Sequence, residues 1–228
     1  MAEGLNTKAG ARLAGLAYLV VTVFSIAGYV TLTTFLAGGS QMELARVAAN
    51  QRLFRLALVA SVIGFAAWAV LWILLYRLMS SAGRISGLLM LIFAVAGTAM
   101  NSIALSQLLP IVRLASSGMD AGTLAPIVHS YNRLVLLAQV FSGLWLFPFG
   151  RLVLRSRIAP RLLGYCLIVG GVFYLLVFAT AFEPGLDHKM AHQIVSAPTG
   201  VLGLVGAVGM CLWLLFKGAR GADSARVA

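Results

Sequence analysis

Long apolar stretches separated by short polar connectors make up most of the chain. A helix needs roughly 20 apolar residues to cross a bilayer core of about 30 Å. Six stretches reach that length, so the pattern predicts an all-α bundle of six transmembrane helices. The predicted spans are residues 12–37, 53–79, 85–114, 124–154, 161–182 and 197–216.

The connectors and prolines refine this layout. Residues 37–51 are too polar to span a membrane and predict a short helix on its outer surface. Pro110 and Pro148 lie inside the third and fourth spans and are expected to kink them, because proline donates no backbone hydrogen bond. The first span is too long for the ~7–15-residue core of a signal peptide, so it is expected to remain in the mature protein. Aromatic side chains near span ends are expected in interfacial belts: Trp72, Tyr76, Trp145 and Trp213.

The composition agrees with a membrane protein. Hydrophobic residues make up 61% of the chain and charged residues 10%, against about 45–50% and about 25% in soluble domains. This balance excludes a soluble enzyme, a disordered tail and a nucleic-acid-binding module. Cys166 and Cys211 both lie in apolar stretches and do not form a disulfide framework or a metal-binding pair. We therefore expect one integral-membrane domain over residues 1–228.

The basic residues orient this domain. The net charge is +11, and the excess of Lys and Arg flanks the spans on the side that holds both termini. Positive charge accumulates on the cytoplasmic side, so both termini are predicted to be cytoplasmic. The basic residues on that side are Lys8, Arg12, Arg77, Arg84, Arg151, Arg155, Arg157, Arg161, Lys217, Arg220 and Arg226.

Several stretches resemble one family of bacterial multi-pass membrane proteins. The most specific part is the turn Pro160–Gly164, which follows Arg155–Ser156. The other stretches, in the same order as in the family, are Asn50–Arg55, Leu74–Leu78, Gly143–Gly150, Gly170–Tyr174 and Leu212–Gly218. On these residues the chain resembles the domain-of-unknown-function family DUF4386. The resemblance implies six helices and a bacterial cytoplasmic membrane, and it carries over no catalytic residue.

The span interiors carry little chemistry. Charged residues and histidines are absent from the middle of every span, which argues against a pump or a proton-coupled transporter. Polar residues of the third and fourth spans are candidates for lining a substrate cavity. The alternative, which we favour, is that they form hydrogen bonds between helices. These residues are Thr98, Asn101, Ser102, Ser106 and Gln139.

A run of glycines marks the last span. Gly200, Gly203, Gly206 and Gly209 recur every three residues and give a smooth helix face. Such a face lets a neighbouring backbone approach closely. The expected neighbour is a helix of the same chain, a second copy or a membrane protein partner.

Histidines on the predicted outer side suggest a metal site. His188 and His192 are four residues apart and would share one face of a helix, with His129 as a third ligand. Three ligands and an open position suit a catalytic zinc, with Glu183 or Asp187 as general base. The favoured alternative is that these are ordinary histidines of a polar loop. Haem ligation is disfavoured because the histidines lie near the membrane boundary.

Arginines on the same side form a second candidate site. Arg52 and Arg55 open the second span, Arg113 ends the third and Arg133 enters the fourth. Clustered arginines would bind a phosphate, a carboxylate or a lipid head group. The alternative, which we favour, is pairing with nearby acids and contact with lipid head groups.

Three functions remain open at this point. A non-catalytic accessory or partner-dependent membrane protein fits the apolar interior best. A protein that binds a small molecule or a lipid in a pocket open to the outer leaflet is the second hypothesis. A metal-dependent enzyme that faces outward and uses the histidine cluster is the third.

Overall fold

The computed structural model describes residues 8–38, 40–114, 121–156, 159–181, 205–206 and 208–216. Helices account for nearly all of these residues. Eight are α1 (Lys8–Phe35), α2 (Ser40–Ala49), α3 (Gln51–Met79), α4 (Arg84–Ser106), α5 (Leu109–Leu114), α6 (Ala121–Leu144), α7 (Leu146–Ser156) and α8 (Arg161–Thr180). Residues 208–216 are also helical and are called α9.

Within this described part, five helical stretches are long and apolar enough to cross a membrane. They are Gly10–Phe35, Gln51–Ala82, Arg84–Arg113, Gly122–Ser156 and Arg161–Thr180. Only 28% to 33% of the residues in their most apolar windows are buried, so most of each window faces outward, as lipid contact requires. The predicted all-α, multi-pass membrane fold is confirmed. The predicted sixth span is described only at its end, where α9 is helical.

Both predicted proline kinks are confirmed. A turn at residues 107–108 separates α4 from α5 just before Pro110, and a turn at Trp145 separates α6 from α7 just before Pro148. In each case proline cannot donate to the carbonyl one turn earlier, so the regular helix stops there. The second interruption matters for the site, because it lies at a tryptophan.

The short helix predicted between the first two spans is α2. Arg46 of this helix donates hydrogen bonds to the backbone oxygens of Thr34, at 2.8 Å, and of Ala37. These carbonyls lie at and just beyond the end of α1, where no backbone N–H group of the same helix is left to bond to them. On its other side α2 buries Val47. Arg46 therefore fixes α2 across the end of α1.

Small residues set the separation of α1 and α3. A Cβ atom added to Gly28 would lie 3.0 Å from the backbone nitrogen of Ser61, and one added to Gly64 would lie 2.9 Å from Oγ of Ser25. Each helix thus places a glycine against a serine of the other. Such small-residue contacts are typical of close helix packing in membranes.

The α9 segment packs between α1 and α8. A Cβ atom on Gly15 of α1 would lie 2.9 Å from the backbone nitrogen of Leu215. Gly206 and Gly209 face the side chains of Leu167 and Leu163 on α8. For these two glycines the close neighbour is therefore a helix of the same chain. Gly200 and Gly203 lie outside the described residues.

Buried side chains form two clusters, one toward each end of the bundle. Leu71 and Phe149 belong to the cluster at the predicted cytoplasmic end. Phe54 and Ile111 belong to the cluster at the predicted outer end. Residues of both clusters, or residues packed against them, line the two inner cavities described below.

Candidate functional site: an uncharged cavity inside the bundle

A cavity of about 210 Å³ lies inside the helix bundle. Its walls come from α1, α3, α4, α8 and the break between α6 and α7. We call it the aromatic cavity, after Tyr18, Trp68, Trp72, Trp145 and Tyr174 in its lining. Tyr18 lies about 15 Å along α1 from its first residue, at 1.5 Å per residue. The cavity therefore lies within the length of the membrane-spanning helices, between their ends.

Three of the tryptophans pack against one another. The rings of Trp68 and Trp72 stack with centroids 4.5 Å apart. Trp145 meets Trp72 edge to face, also at 4.5 Å, and Phe149 lies 5.4 Å further on. Stacked and edge-to-face pairs at these distances stabilise one another beyond their burial. The cluster forms a rigid aromatic wall.

This cluster corrects the sequence prediction. Trp72 and Trp145 were expected in interfacial belts, but Trp72 is only 3% exposed and both line the aromatic cavity. The prediction was wrong because Trp72 lies two turns inside the end of α3, on the face that the neighbouring helices cover. The four-residue spacing of Trp68 and Trp72, which puts both on one helix face, was the available signal.

Hydrogen bonds hold the indole rings in place. Trp68 donates through Nε1 to Oγ of Ser25 at 3.1 Å, and Trp72 donates to Oγ1 of Thr98 at 3.2 Å. Thr98 in turn donates to the backbone oxygen of Ala94 at 2.9 Å. Each of these tryptophans is therefore tied to a different neighbouring helix.

The predicted polar residues of α4 separate into three environments. Thr98 and Asn101 line the aromatic cavity, and Nδ2 of Asn101 donates to the backbone oxygen of Gly97 at 2.9 Å. Ser102 lines a groove of about 440 Å³ between α3 and α4. Ser106 is exposed and bonds within its own helix. Thr98 therefore combines the two predicted roles, since it lines a cavity and also accepts a hydrogen bond from another helix.

The aromatic cavity continues toward the predicted outer end. A second cavity of about 330 Å³ shares Asn101 and Tyr174 with it and reaches Gln139 on α6. A third, of about 490 Å³, shares Tyr131 and Gln139 with the second and extends to Thr180 near the end of α8. The three cavities adjoin one another in a row that extends to the predicted outer end.

The walls of this row are uncharged. The lining residues of the three cavities include no Asp, Glu, Lys, Arg or His among the described residues. Arg52 and Arg55 are exposed on the first turn of α3, Arg113 is exposed on α5, and Arg133 is exposed on α6. The candidate arginines therefore lie on three helices and apart from these cavity walls.

The metal hypothesis rests largely on residues outside the described part. His129 is exposed on α6. His188, His192, Glu183 and Asp187 lie outside the described residues. Among the residues that the structure describes, no three His, Cys, Asp or Glu side chains are grouped for metal binding. Zinc binding stays a prediction.

Comparison with known proteins agrees with the resemblance in the sequence. No curated protein and no solved structure matches the chain. The family model described as "Domain of unknown function (DUF4386)" matches residues 13–218, which is most of the chain and includes every helix that lines the cavities. The protein therefore belongs to the DUF4386 family.

Proposed function

We propose that the protein binds a small uncharged molecule inside the membrane, in the aromatic cavity. The observation that carries this proposal is the row of adjoining cavities with uncharged walls. Its inner end carries the amide of Asn101 and the hydroxyl of Ser142 within an otherwise largely aromatic and aliphatic lining. This combination of a mostly apolar pocket with a few polar groups is typical of small-molecule sites.

The walls favour a neutral ligand over an ion. An ion moved from water to an apolar interior loses several kcal/mol or more of hydration free energy unless an opposite charge compensates it. The described walls offer hydroxyl, amide and thiol groups but no opposite charge. Aromatic rings stabilise an apolar ligand by burial and by stacking.

A non-catalytic role is part of the same proposal. General acid–base catalysis most often uses histidine or a carboxylate, and the described cavity walls contain neither. We therefore propose a binding or accessory protein, acting alone or with a membrane partner. The proposed location is the bacterial cytoplasmic membrane with both termini cytoplasmic, which the distribution of basic residues supports. The row of cavities then leads toward the outer leaflet.

The test compares small molecules that co-purify with three forms of the protein. In Cys166→Phe a ring replaces a thiol in the wall of the aromatic cavity. Val169→Phe makes a similar change one turn away on α8, at a side chain that is 44% exposed and absent from the cavity lining. The proteins are purified from membranes, extracted with organic solvent and analysed by mass spectrometry.

We expect a molecule that accompanies the wild type and Val169→Phe in near-equal amount but is lost from Cys166→Phe. Equal recovery from all three forms, or no enriched molecule in any of them, contradicts the proposal. Thermal unfolding of each variant shows whether the loss reflects unfolding rather than a blocked cavity.

A further inference from the structure

The aromatic cavity also adjoins the groove between α3 and α4. The two share Phe65, Trp72 and Thr98 in their linings. The rest of the groove is formed mainly by small or branched apolar side chains, among them Ala66 and Ala99, which are exposed on the outside of the bundle. In a membrane protein this outside faces lipid hydrocarbon. The groove therefore adjoins the cavity on the lipid side, and Phe65, Trp72 and Thr98 form the wall between them.

The size of the cavity limits what fits beside the tryptophans. An apolar cavity of about 150 Å³ is large enough for benzene. The 210 Å³ of the aromatic cavity therefore fits one substituted ring. A flat ring also matches the flat faces of the stacked Trp68 and Trp72.

Hydrogen-bonding groups surround that space. Tyr18, Ser142 and Tyr174 present hydroxyl groups in the lining, and Asn101 presents its side-chain oxygen and a second amide hydrogen. A ring with carbonyl or hydroxyl substituents would find hydrogen-bonding partners among these groups.

From these observations we propose that the ligand is a ring-headed lipid of the quinone or quinol class. Its neutral ring occupies the aromatic cavity, and its hydrocarbon tail leaves through the groove between α3 and α4 into the bilayer. This inference rests on the proposed function and specifies its ligand. In this proposal the side chains of Phe65, Trp72 and Thr98 move aside, and the tail then reaches the bilayer without meeting water.

Tryptophan fluorescence tests the ring. Three of the four tryptophans line the aromatic cavity, and the fourth, Trp213, is on α9. Trp213→Phe protein in lipid nanodiscs therefore reports the cavity alone. The probe is a decyl-substituted benzoquinone, which quenches nearby indoles, and decanol serves as a tail without a ring.

We expect the benzoquinone to quench the tryptophan fluorescence in a saturable way. Added decanol is expected to leave this quenching unchanged. Adding Cys166→Phe is expected to raise the half-saturating concentration about tenfold or more, whereas adding Val169→Phe leaves it unchanged. Quenching that rises linearly and equally in all of these proteins overturns the inference. If the co-purification experiment still finds a cavity-dependent molecule, the proposed function stands and only its ligand class fails.

A second pair of variants tests the path of the tail. Ala99→Phe narrows the groove, whereas Ile103→Phe places the same ring on a 49% exposed position of α4 outside the groove lining. We expect Ala99→Phe to slow the onset of quenching about tenfold and Ile103→Phe to leave it unchanged. Equal onset in both variants overturns the proposed entry through the groove.

Discussion

Replacing Gly150 by alanine is expected to destabilise the contact between α7 and α8. A Cβ atom at this position would lie 2.7 Å from the backbone oxygen of Gly164 and 2.7 Å from Cγ1 of Ile168. Neither neighbour is the free end of a flexible side chain, so the two helices must separate to accept the methyl group. That separation would widen the junction that holds Trp145 in the cavity wall.

The expected loss follows from two opposing effects. Adding a methylene to a well-packed core costs about 1–3 kcal/mol, and backbone contact at 2.7 Å puts this site near the upper value. Alanine recovers about 1 kcal/mol through its higher helix propensity. The free energy of unfolding should therefore fall by about 2 kcal/mol.

Unfolding by SDS in mixed micelles, followed by tryptophan fluorescence, measures this difference. Gly209→Ala is the matched control, since its added Cβ would meet only Cδ2 of Leu163, at 2.8 Å, which can rotate away. The control should stay within about 1 kcal/mol of the wild type. A Gly150→Ala protein as stable as this control would refute the argument that backbone contact limits the separation of α7 and α8.

Three further predictions concern single side chains and the orientation of the chain. Thr98→Val removes the hydroxyl that accepts a hydrogen bond from an indole ring and should lower the free energy of unfolding by about 1 kcal/mol. Thr33→Val, at an exposed site that bonds within its own helix, should lower it less. Equal losses in the two variants would contradict a stabilising role for the interhelical hydrogen bond. Arg46→Met removes the guanidinium that joins α2 to the end of α1, so the backbone amides of α2 should exchange hydrogen about tenfold faster. An unchanged exchange rate would show that this hydrogen bond does not hold α2 in place. The predicted orientation is tested with single cysteines introduced into a cysteine-free protein. A membrane-impermeant maleimide applied to intact cells should label Ala45→Cys on α2 and leave Ser81→Cys, between α3 and α4, unlabelled. The reverse labelling pattern would overturn the prediction that both termini are cytoplasmic.

Features that depend on neighbouring residues in the chain were predictable from sequence. The kink before Pro148 follows from a missing amide hydrogen, which acts within one helical turn. Helix α2 was predictable because residues 37–51 are too polar to span a membrane. The contact of Arg46 with the end of α1 is also near in sequence, but the pattern of residues gave no indication of it.

The aromatic cavity was predicted only in part. Thr98 and Asn101 in its lining, and Gln139 in the adjoining cavity, were recognised as polar positions within apolar spans, where each polar group is conspicuous. Tyr18, Tyr174 and Cys166 were missed as cavity residues. They lie in helices that are apolar on nearly every side, so the sequence does not distinguish the side that faces lipid from the side that faces protein.

The sequence by itself determined that this chain is a multi-pass helical membrane protein. It does so because a bilayer demands long apolar segments whose backbone groups bond within the segment, which is a local requirement. The tertiary structure decided which faces of those helices are buried. Trp72 and Trp145 come together from α3 and the break after α6, and that meeting depends on small residues in other helices that allow close approach. In lipid, apolar character does not mark an interior position, so only packing could show the cavity.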